Sequence, residues 1–173
     1  GDLYTGTIEN CYSTATINCN GNPGTGIGGL VGNITGSLGI TNSYYSGTIN
    51  ASNSSYVGGL VGNLISGTKI SYCVAMCDNI YCTDGTGNRI VGSSSGILSE
   101  NYAYSGMKIN NTVVSEAESY STTGANLALE EFNYQTYNPM VSWNFTDIWS
   151  SGSEGPILQN MPGEPDQDSI PWQ

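Results

Sequence analysis

The stretch GGLVGN at residues 28–33 decides the fold, because it recurs unchanged at residues 58–63. A third copy, NRIVGS at residues 88–93, follows after another 30 residues with its first two glycines replaced. Self-similarity at a fixed period of about 20–50 residues is the signature of solenoids, propellers and repeat arrays. The chain is therefore expected to stack several copies of one structural unit.

A second element lies between these copies and keeps nearly the same period. ITNSYY at 40–45 matches IENCYS at 8–13, ISYCVA at 70–75 and, more weakly, LSENYA at 98–103. Short β-branched segments punctuated by Gly, Asn and Ser favour strands over helices. A WD-type propeller blade needs about 40 residues, more than this unit has. We therefore predict an all-β fold, a parallel β-helix (β-solenoid) of about 30-residue repeats with about three short strands per coil. We expect right-handed winding, because crossover connections are overwhelmingly right-handed.

The second element also has a packing logic. The first residue of each copy, such as Ile8, Ile40 or Ile70, is predicted to point inward and form an aliphatic ladder. The third residue, Asn10 or Asn42, suits a bend, because Asn tolerates left-handed backbone angles. After the bend, the small Cys or Ser should point inward and the following Tyr outward.

The composition excludes several classes of function. The 173 residues hold 14 Asp and Glu against 3 Lys and Arg, with no His, for a net charge of −11. Nucleic-acid binding requires a basic footprint that three cations do not supply. Catalysis by His and His-ligated metal sites are excluded because the chain has no His. The chain shows no apolar run of the roughly 18 residues of a membrane helix and no signal peptide, so we expect a processed piece of a longer secreted protein.

The same residues resemble the GLUG repeat of bacterial surface proteins. GLVG at 29–32 and 59–62 matches the Gly-Leu-x-Gly core, and NCYS at 10–13 matches the second half of that repeat. The resemblance covers about residues 6–109. It implies a β-helical adhesion module, as in filamentous-haemagglutinin-like adhesins and the non-catalytic part of certain IgA-specific metallopeptidases. The third unit departs from the pattern at Asn88 and Arg89, so its corner should be rebuilt.

Three regions are predicted along the chain. Residues 1–124 would hold the GLUG-type repeats, 125–159 a capping segment, and 160–173 a mobile tail rich in Pro and acidic residues. The capping segment is expected to begin with a short helix over 125–132 and to continue with a Trp-rich strand. This region resembles the aromatic segment that closes GLUG arrays. Its large side chains would cover the open end of the solenoid, where core and strand edges are exposed. These side chains are Trp143, Phe145 and Trp149.

Tyrosine supplies the candidate ligand-binding residues. Tyr12, Tyr44 and Tyr102 occupy the same repeat position, and Tyr45 and Tyr104 lie beside it. An exposed aromatic row on a rigid sheet could stack sugar rings or anchor a protein partner. The alternative is a ladder that joins coil to coil, because cross-strand aromatic pairs stabilise sheets.

The five cysteines and the glycine-rich motif suggest no cofactor. Cys73, Cys77 and Cys82 are spaced loosely like metal ligands, but no His or second CxxC accompanies them, so we predict no metal site. A local Cys77–Cys82 disulfide is an option in an oxidising compartment. GTGIGG at 24–29 fits the dinucleotide fingerprint, but its glycines recur as repeat corners and no helix follows, so we predict no cofactor. Carboxylates do not recur in register, so we predict no catalytic residues.

These observations favour a non-catalytic cell-surface adhesion or structural display module of a secreted bacterial protein. Its expected location is extracellular, as a monomeric domain of a longer chain. Its expected partner is a host or cell-surface glycan or protein, without nucleic acid and without membrane insertion. The alternatives are a carbohydrate-active enzyme on a β-helix and a non-catalytic flanking domain of a surface peptidase.

Overall fold

The computed structural model describes residues 1–20, 26–37, 39–83, 85–114, 118–132, 143–152 and 155–159. These residues form a β-solenoid in which short strands stack in parallel on the equivalent strands of the next coil. The predicted all-β parallel β-helix is confirmed. Each complete coil contributes to five sheets, so the expectation of about three strands per coil is wrong. The predicted tail at 160–173 lies outside the described residues.

The strands follow the coils in order. The first coil contains β1 (Asp2–Leu3), β2 (Ile8–Glu9), β3 (Tyr12–Ser13), β4 (Ile17–Cys19) and β5 (Gly26–Gly28). The second contains β6 (Val31–Ile34), β7 (Gly39–Thr41), β8 (Tyr44–Tyr45), β9 (Ile49–Ala51) and β10 (Tyr56–Gly58). The third contains β11 (Val61–Leu64), β12 (Lys69–Ser71), β13 (Val74–Ala75), β14 (Asn79–Cys82) and β15 (Thr86–Asn88). The fourth contains β16 (Val91–Ser94), β17 (Ile97–Ser99), β18 (Tyr102–Tyr104) and β19 (Lys108–Ile109).

The remaining elements follow the fourth coil. They are β20 (Thr112–Val113), β21 (Ala125–Leu127), a single 3₁₀ turn at Leu129–Glu131, β22 (Trp149–Ser151) and β23 (Pro156–Leu158). β20 runs antiparallel to β19, β21 extends the stack beside β18, and β22 and β23 form a hairpin. None of the described residues belongs to a helix long and apolar enough to cross a membrane.

Strands at equivalent positions form the five sheets of the solenoid. We name them sheet A (β1, β6, β11, β16), sheet B (β2, β7, β12, β17), sheet C (β3, β8, β13, β18, β21), sheet D (β4, β9, β14, β19, β20) and sheet E (β5, β10, β15). The register confirms the sequence repeat. In sheet B, Ile8, Ile40, Ile70 and Leu98 are successive partners, spaced by 32, 30 and 28 residues.

One-residue corners explain why a coil holds more strands than expected. The corner between sheets B and C has left-handed backbone angles at Asn10, Asn42, Tyr72 and Glu100, with φ of 51°, 48°, 55° and 52°. The predicted bend at the two asparagines is therefore confirmed. A single residue in this conformation turns the chain without a loop. Short strands can then follow one another directly, which divides a 30-residue coil into more segments.

The inward residues form the predicted aliphatic ladders. Ile40 and Ile70 in sheet B, and Ile49 and Ile80 in sheet D, are essentially inaccessible to solvent. Their partners in the first coil, including Ile8, are only partly buried, because no described strand lies beyond that coil. The core is therefore complete only where coils lie on both sides.

The corner of the third unit is rebuilt around a buried arginine. Gly29 and Gly59 occupy the equivalent corners, where a Cβ atom would strike the Tyr45 ring and the Arg89 carbonyl respectively. Arg89 follows Asn88, the register partner of Gly58, and its side chain is fully buried. The guanidinium donates to the carbonyl oxygens of Thr123 (3.0 Å), Gly124 (2.8 Å) and Tyr104 (3.3 Å), and to Asn126 Oδ1 (2.7 Å). The substitution of glycine by arginine therefore fixes the segment after the fourth coil.

That segment closes the end of the solenoid. The backbone N–H groups of Ile90 and Val91 both donate to the carbonyl of Thr122, at 3.0 and 3.1 Å. Leu60 and Val61 make the same two contacts with the carbonyl of Ile90 one coil earlier. Residues 118–127 thus act as part of a fifth coil.

The short helix predicted over 125–132 is wrong. Ala125–Leu127 form β21, and only Leu129–Glu131 make a 3₁₀ turn. A two-turn helix is marginal without packing, whereas pairing with β18 satisfies backbone groups that would otherwise be exposed at a strand edge. The expected Trp-rich strand is confined to β22, which begins at Trp149.

We predict that Arg89→Ala lowers the free energy of unfolding by about 3 kcal/mol, because carbonyl oxygens buried around the guanidinium lose their donors. Arg89→Lys should recover only part of this loss, because an ammonium group lacks the planar fork of donors. Urea unfolding followed by circular dichroism measures both. The matched control is Lys108→Ala, whose exposed ion pair should contribute less than about 1 kcal/mol. Native stability in Arg89→Lys would contradict this account of the corner.

Candidate functional site

Sheet C brings the predicted tyrosines together as expected from the repeat. Tyr12, Tyr44, Val74 and Tyr102 are successive register partners on its outer face. The rings of Tyr12 and Tyr44 stack with centroids 5.0 Å apart and planes inclined by 6°. The ladder interpretation of these tyrosines therefore applies to this pair.

The expected exposure of Tyr44 and Tyr45 is wrong, because both are 0% exposed. Tyr45 belongs to the interior of the solenoid, where its hydroxyl donates to the carbonyls of Ala15 (2.8 Å) and Thr48 (3.0 Å). Burial, with a smaller contribution from Cys77, raises the pKa of the Tyr45 hydroxyl strongly. This hydroxyl is a fixed structural donor with no access to a ligand.

The chain's own C-terminal segment covers Tyr44 from outside. Around the Tyr44 ring lie Phe132, Trp149 and Trp143, with centroid distances of 5.4, 5.9 and 6.0 Å. The Tyr44 hydroxyl donates to the carbonyl of Pro156 at 2.8 Å. Trp143 and Trp149 stack on each other with centroids 4.5 Å apart.

The predicted position of the aromatic cap is therefore wrong. Trp143, Phe145 and Trp149 pack on the side of the solenoid, with Trp143 Nε1 donating to the carbonyl of Tyr72 at 2.8 Å. Residues 118–127 already cover the end of the solenoid. The outer face of sheet C instead offers a broad aromatic surface, and its burial stabilises the fold in proportion to the apolar area removed from water.

The remaining predicted tyrosines keep part of their surface. Tyr12, Tyr102 and Tyr104 are half-buried and border the same cluster. The Tyr102 hydroxyl donates to Glu100 Oε2 at 3.3 Å. Burial and the Glu100 charge raise the pKa of Tyr102. Ligand binding by these three rings stays a prediction, but a continuous exposed row is not formed.

The suggested Cys77–Cys82 disulfide is also wrong, because both residues are free thiols. Cys77 Sγ contacts Met107 Sδ at 3.8 Å, and Asn110 Nδ2 donates to Cys82 Sγ at 3.7 Å. The extended strand β14 separates the two cysteines at about 3.3 Å per residue. A disulfide needs Cα atoms within roughly 7 Å.

The buried thiols are poorly suited to nucleophilic chemistry. Burial raises the pKa of Cys73 and of Cys77 to about 12, and it also raises the pKa of Cys82. The thiolate is the reactive form of cysteine, so these groups are inert near neutral pH. Among the described residues, no group of three or more Cys, Asp or Glu side chains is arranged to hold a metal ion.

The outer face of sheet B carries a groove, bordered by several hydroxyl groups, that the sequence analysis missed. Its cavity of about 210 Å³ is lined by Thr7, Ser37, Gly39, Ile40, Thr41, Lys69 and Ser71. Gly39 is the register partner of Lys69, and a Cβ atom on Gly39 would strike the Lys69 carbonyl. The sequence did contain an indication of this groove, because Gly39, which has no side chain, aligns with a lysine in the next repeat.

The groove holds hydroxyl groups and one cation. Lys69 makes no ion pair within the part of the chain that the structure describes, whereas Lys108 Nζ lies 3.7 Å from Asp78 Oδ1 and Arg89 is buried. The lining residues include no thiol and no carboxylate. Such a groove can bind a ligand through hydrogen bonds and one positive charge.

Comparison with known proteins places the fold. No family model and no curated protein matches the chain. A crystal structure of a protein from Bacteroides ovatus, described as a "putative immunoglobulin A1 protease", is similar, with a TM-score of 0.58 and 24% sequence identity. The match covers 90% of this chain and 58% of that chain. The chain thus spans little more than half the length of that protein, and the likeness concerns the fold alone.

We predict that Trp149→Ala lowers the free energy of unfolding by about 3–5 kcal/mol, because it leaves a cavity in the aromatic cluster. Near-ultraviolet circular dichroism and urea unfolding measure the change. The control is Tyr120→Ala, whose ring is exposed and whose removal should leave the unfolding midpoint unchanged. Equal stability of Trp149→Ala and the parent chain would show that the C-terminal segment does not pack on sheet C.

Thiol accessibility tests the cysteine assignments. With Ellman's reagent at pH 8, the exposed Cys11 should react at least about 100-fold faster than the buried Cys73 and Cys77. Cys11→Ser should remove the fast phase. In urea without reductant, all five cysteines should titrate. A total of three would establish a disulfide and overturn the assignment of free thiols.

Proposed function

We propose that this chain is a non-catalytic display and adhesion module of the GLUG type, carried by a secreted bacterial surface protein. The observation that carries the proposal is the lateral packing of the C-terminal segment. That segment contacts Tyr12 in the first coil, Tyr44 in the second and Tyr72 in the third. Packing of one segment across three coils should stiffen the solenoid, and a spacer between other domains requires a stiff body.

The non-catalytic part of the proposal is supported by the chemistry of the described side chains. The groove on sheet B presents hydroxyls and an ammonium group, and its lining residues include no carboxylate that could act as a general base. The resolved pKa shifts raise the pKa of tyrosines and cysteines, away from the neutral range in which a general base acts. A carbohydrate-active enzyme would need converging carboxylates.

The similar structure supports a particular setting for the module. The Bacteroides ovatus protein is described as a "putative immunoglobulin A1 protease", and the match covers 58% of that chain. A solenoid of this kind would then be a flanking domain of a surface peptidase, with any hydrolysis performed by other parts of that protein. The repeats at 28–33 and 58–63 support the assignment to the GLUG type.

Two assays on the purified chain test this function. Incubation with IgA1 and with a panel of polysaccharides should yield no product above the blank. In limited thermolysin digestion, the native chain should survive at least about tenfold longer than Trp149→Ala, because proteolysis requires opening of the structure. Product formation that is lost after heat denaturation of the chain would refute the non-catalytic role. Equal digestion of both chains would refute the role of the C-terminal segment as a stiffener.

A further inference from the structure

The groove on sheet B has the geometry of a gap between two coils. β2, β7 and β12 lie side by side, and neighbouring strands are about 4.8 Å apart. Thr7, just before β2, and Lys69 in β12 are therefore separated by about 10 Å, with the side-chain-free Gly39 between them. Thr41 and Ser71, which are register partners, form the adjacent row.

A hydroxyl that is open to solvent faces this gap. Ser71 is only 6% exposed, lines the groove, and makes no side-chain hydrogen bond with any described residue. Its Oγ keeps contact with solvent through the groove and is therefore accessible to a ligand. Hydroxyls both donate and accept, which matches the hydroxyls of a sugar.

The charge of the groove is unusual for this chain. The net charge is −11, yet the groove carries Lys69 without an ion-pair partner among the described residues. On the far side of Lys69, the register partner is Ile97, whose side chain is 61% exposed and uncharged. The four parallel strands of sheet B contain a single carboxylate, Glu9, which is not among the residues that line the groove.

We propose that this groove binds one acidic sugar residue, with Lys69 Nζ pairing with its carboxylate and the Ser and Thr hydroxyls binding its hydroxyls. This inference deepens the adhesion part of the proposed function. One ammonium group matches one carboxylate. A phosphate dianion is better served by an arginine fork, which the groove lacks.

The size of the groove limits how much of a ligand it can enclose. Its volume of about 210 Å³ lies below the roughly 300–1,000 Å³ of pockets that enclose drug-sized ligands. A single sugar ring is therefore the largest unit that it should enclose. Glu9, beside Thr41 in register, places a negative charge at the border of the groove and should weaken binding of any anion.

Nuclear magnetic resonance titration of the whole chain at low ionic strength tests the proposal. The probes are glucuronate, N-acetylneuraminate, glucose, acetate and inorganic phosphate. At least one of the two sugar acids should shift the resonances of Thr41 and Ser71 saturably, with Kd on the order of 1 mM. Glucose and acetate should each bind at least about tenfold more weakly, because glucose lacks the carboxylate and acetate lacks the sugar hydroxyls.

Three variants locate the site. Lys69→Gln should weaken binding of the sugar acid about tenfold or more, and Glu9→Gln should strengthen it about twofold to threefold. Lys108→Gln is the matched control, because it removes an exposed lysine from a different sheet, and it should leave Kd unchanged. Each variant should keep the circular dichroism spectrum of the parent.

The proposal is overturned if neither sugar acid gives saturable shifts, or if Lys69→Gln binds as tightly as the parent chain. Equal binding of phosphate or acetate would identify a simple anion site and overturn the assignment to sugars. These outcomes differ from those that test the proposed function. Turnover of a sugar substrate would refute the non-catalytic role while leaving the site intact, and absence of binding would leave the display role unaffected.

Discussion

Parallel backbone hydrogen bonding between successive coils is the constraint on which the rest of the structure depends. Leu30 N donates to Leu60 O at 2.9 Å, and Leu60 N donates to Ile90 O at 3.0 Å. A slip of one residue would turn every inward side chain outward, so the register cannot drift. Differences in repeat length must therefore be absorbed in the corners. This is why spacings of 32, 30 and 28 residues coexist in sheet B with an unbroken aliphatic ladder.

The same constraint leaves two kinds of surface to be buried, and the chain uses a different device for each. At the end of the fourth coil, Arg89 and Thr122 fix a partial fifth coil through backbone carbonyls. On the side, the Trp-containing segment packs on sheet C and covers Tyr44. The volumes of the inward side chains also differ from coil to coil. Tyr45 lies against Gly29 in one coil, whereas its register partner in the next coil, Ala75, lies near Gly59.

The sequence predicts the features that recur at the same position in every repeat. Prediction from the sequence fails where a contact occurs only once in the chain. The pairing of Ile40 with Ile70 could be predicted because both occupy the same repeat position. The corner at Asn42 could be predicted from its residue type. The exposure of Tyr44 was wrong because a residue that points outward from a sheet can still be covered by a later segment. No sequence pattern in residues 143–152 or 155–158 specifies that they pack on sheet C. The groove is an intermediate case. The alignment of Gly39 with Lys69 follows from the repeat, whereas the depth of the groove does not.

The three cations show how a strongly acidic chain confines its positive charge. Arg89 is buried, Lys108 faces Asp78, and Lys69 borders the groove on sheet B. The surrounding negative charge repels extended polyanions while a short-range contact can still hold one carboxylate. Affinity from a single ammonium group and a few hydroxyls is necessarily weak. Adhesion of the proposed kind would therefore require many copies of the module on one surface, because a high effective concentration turns weak contacts into stable attachment.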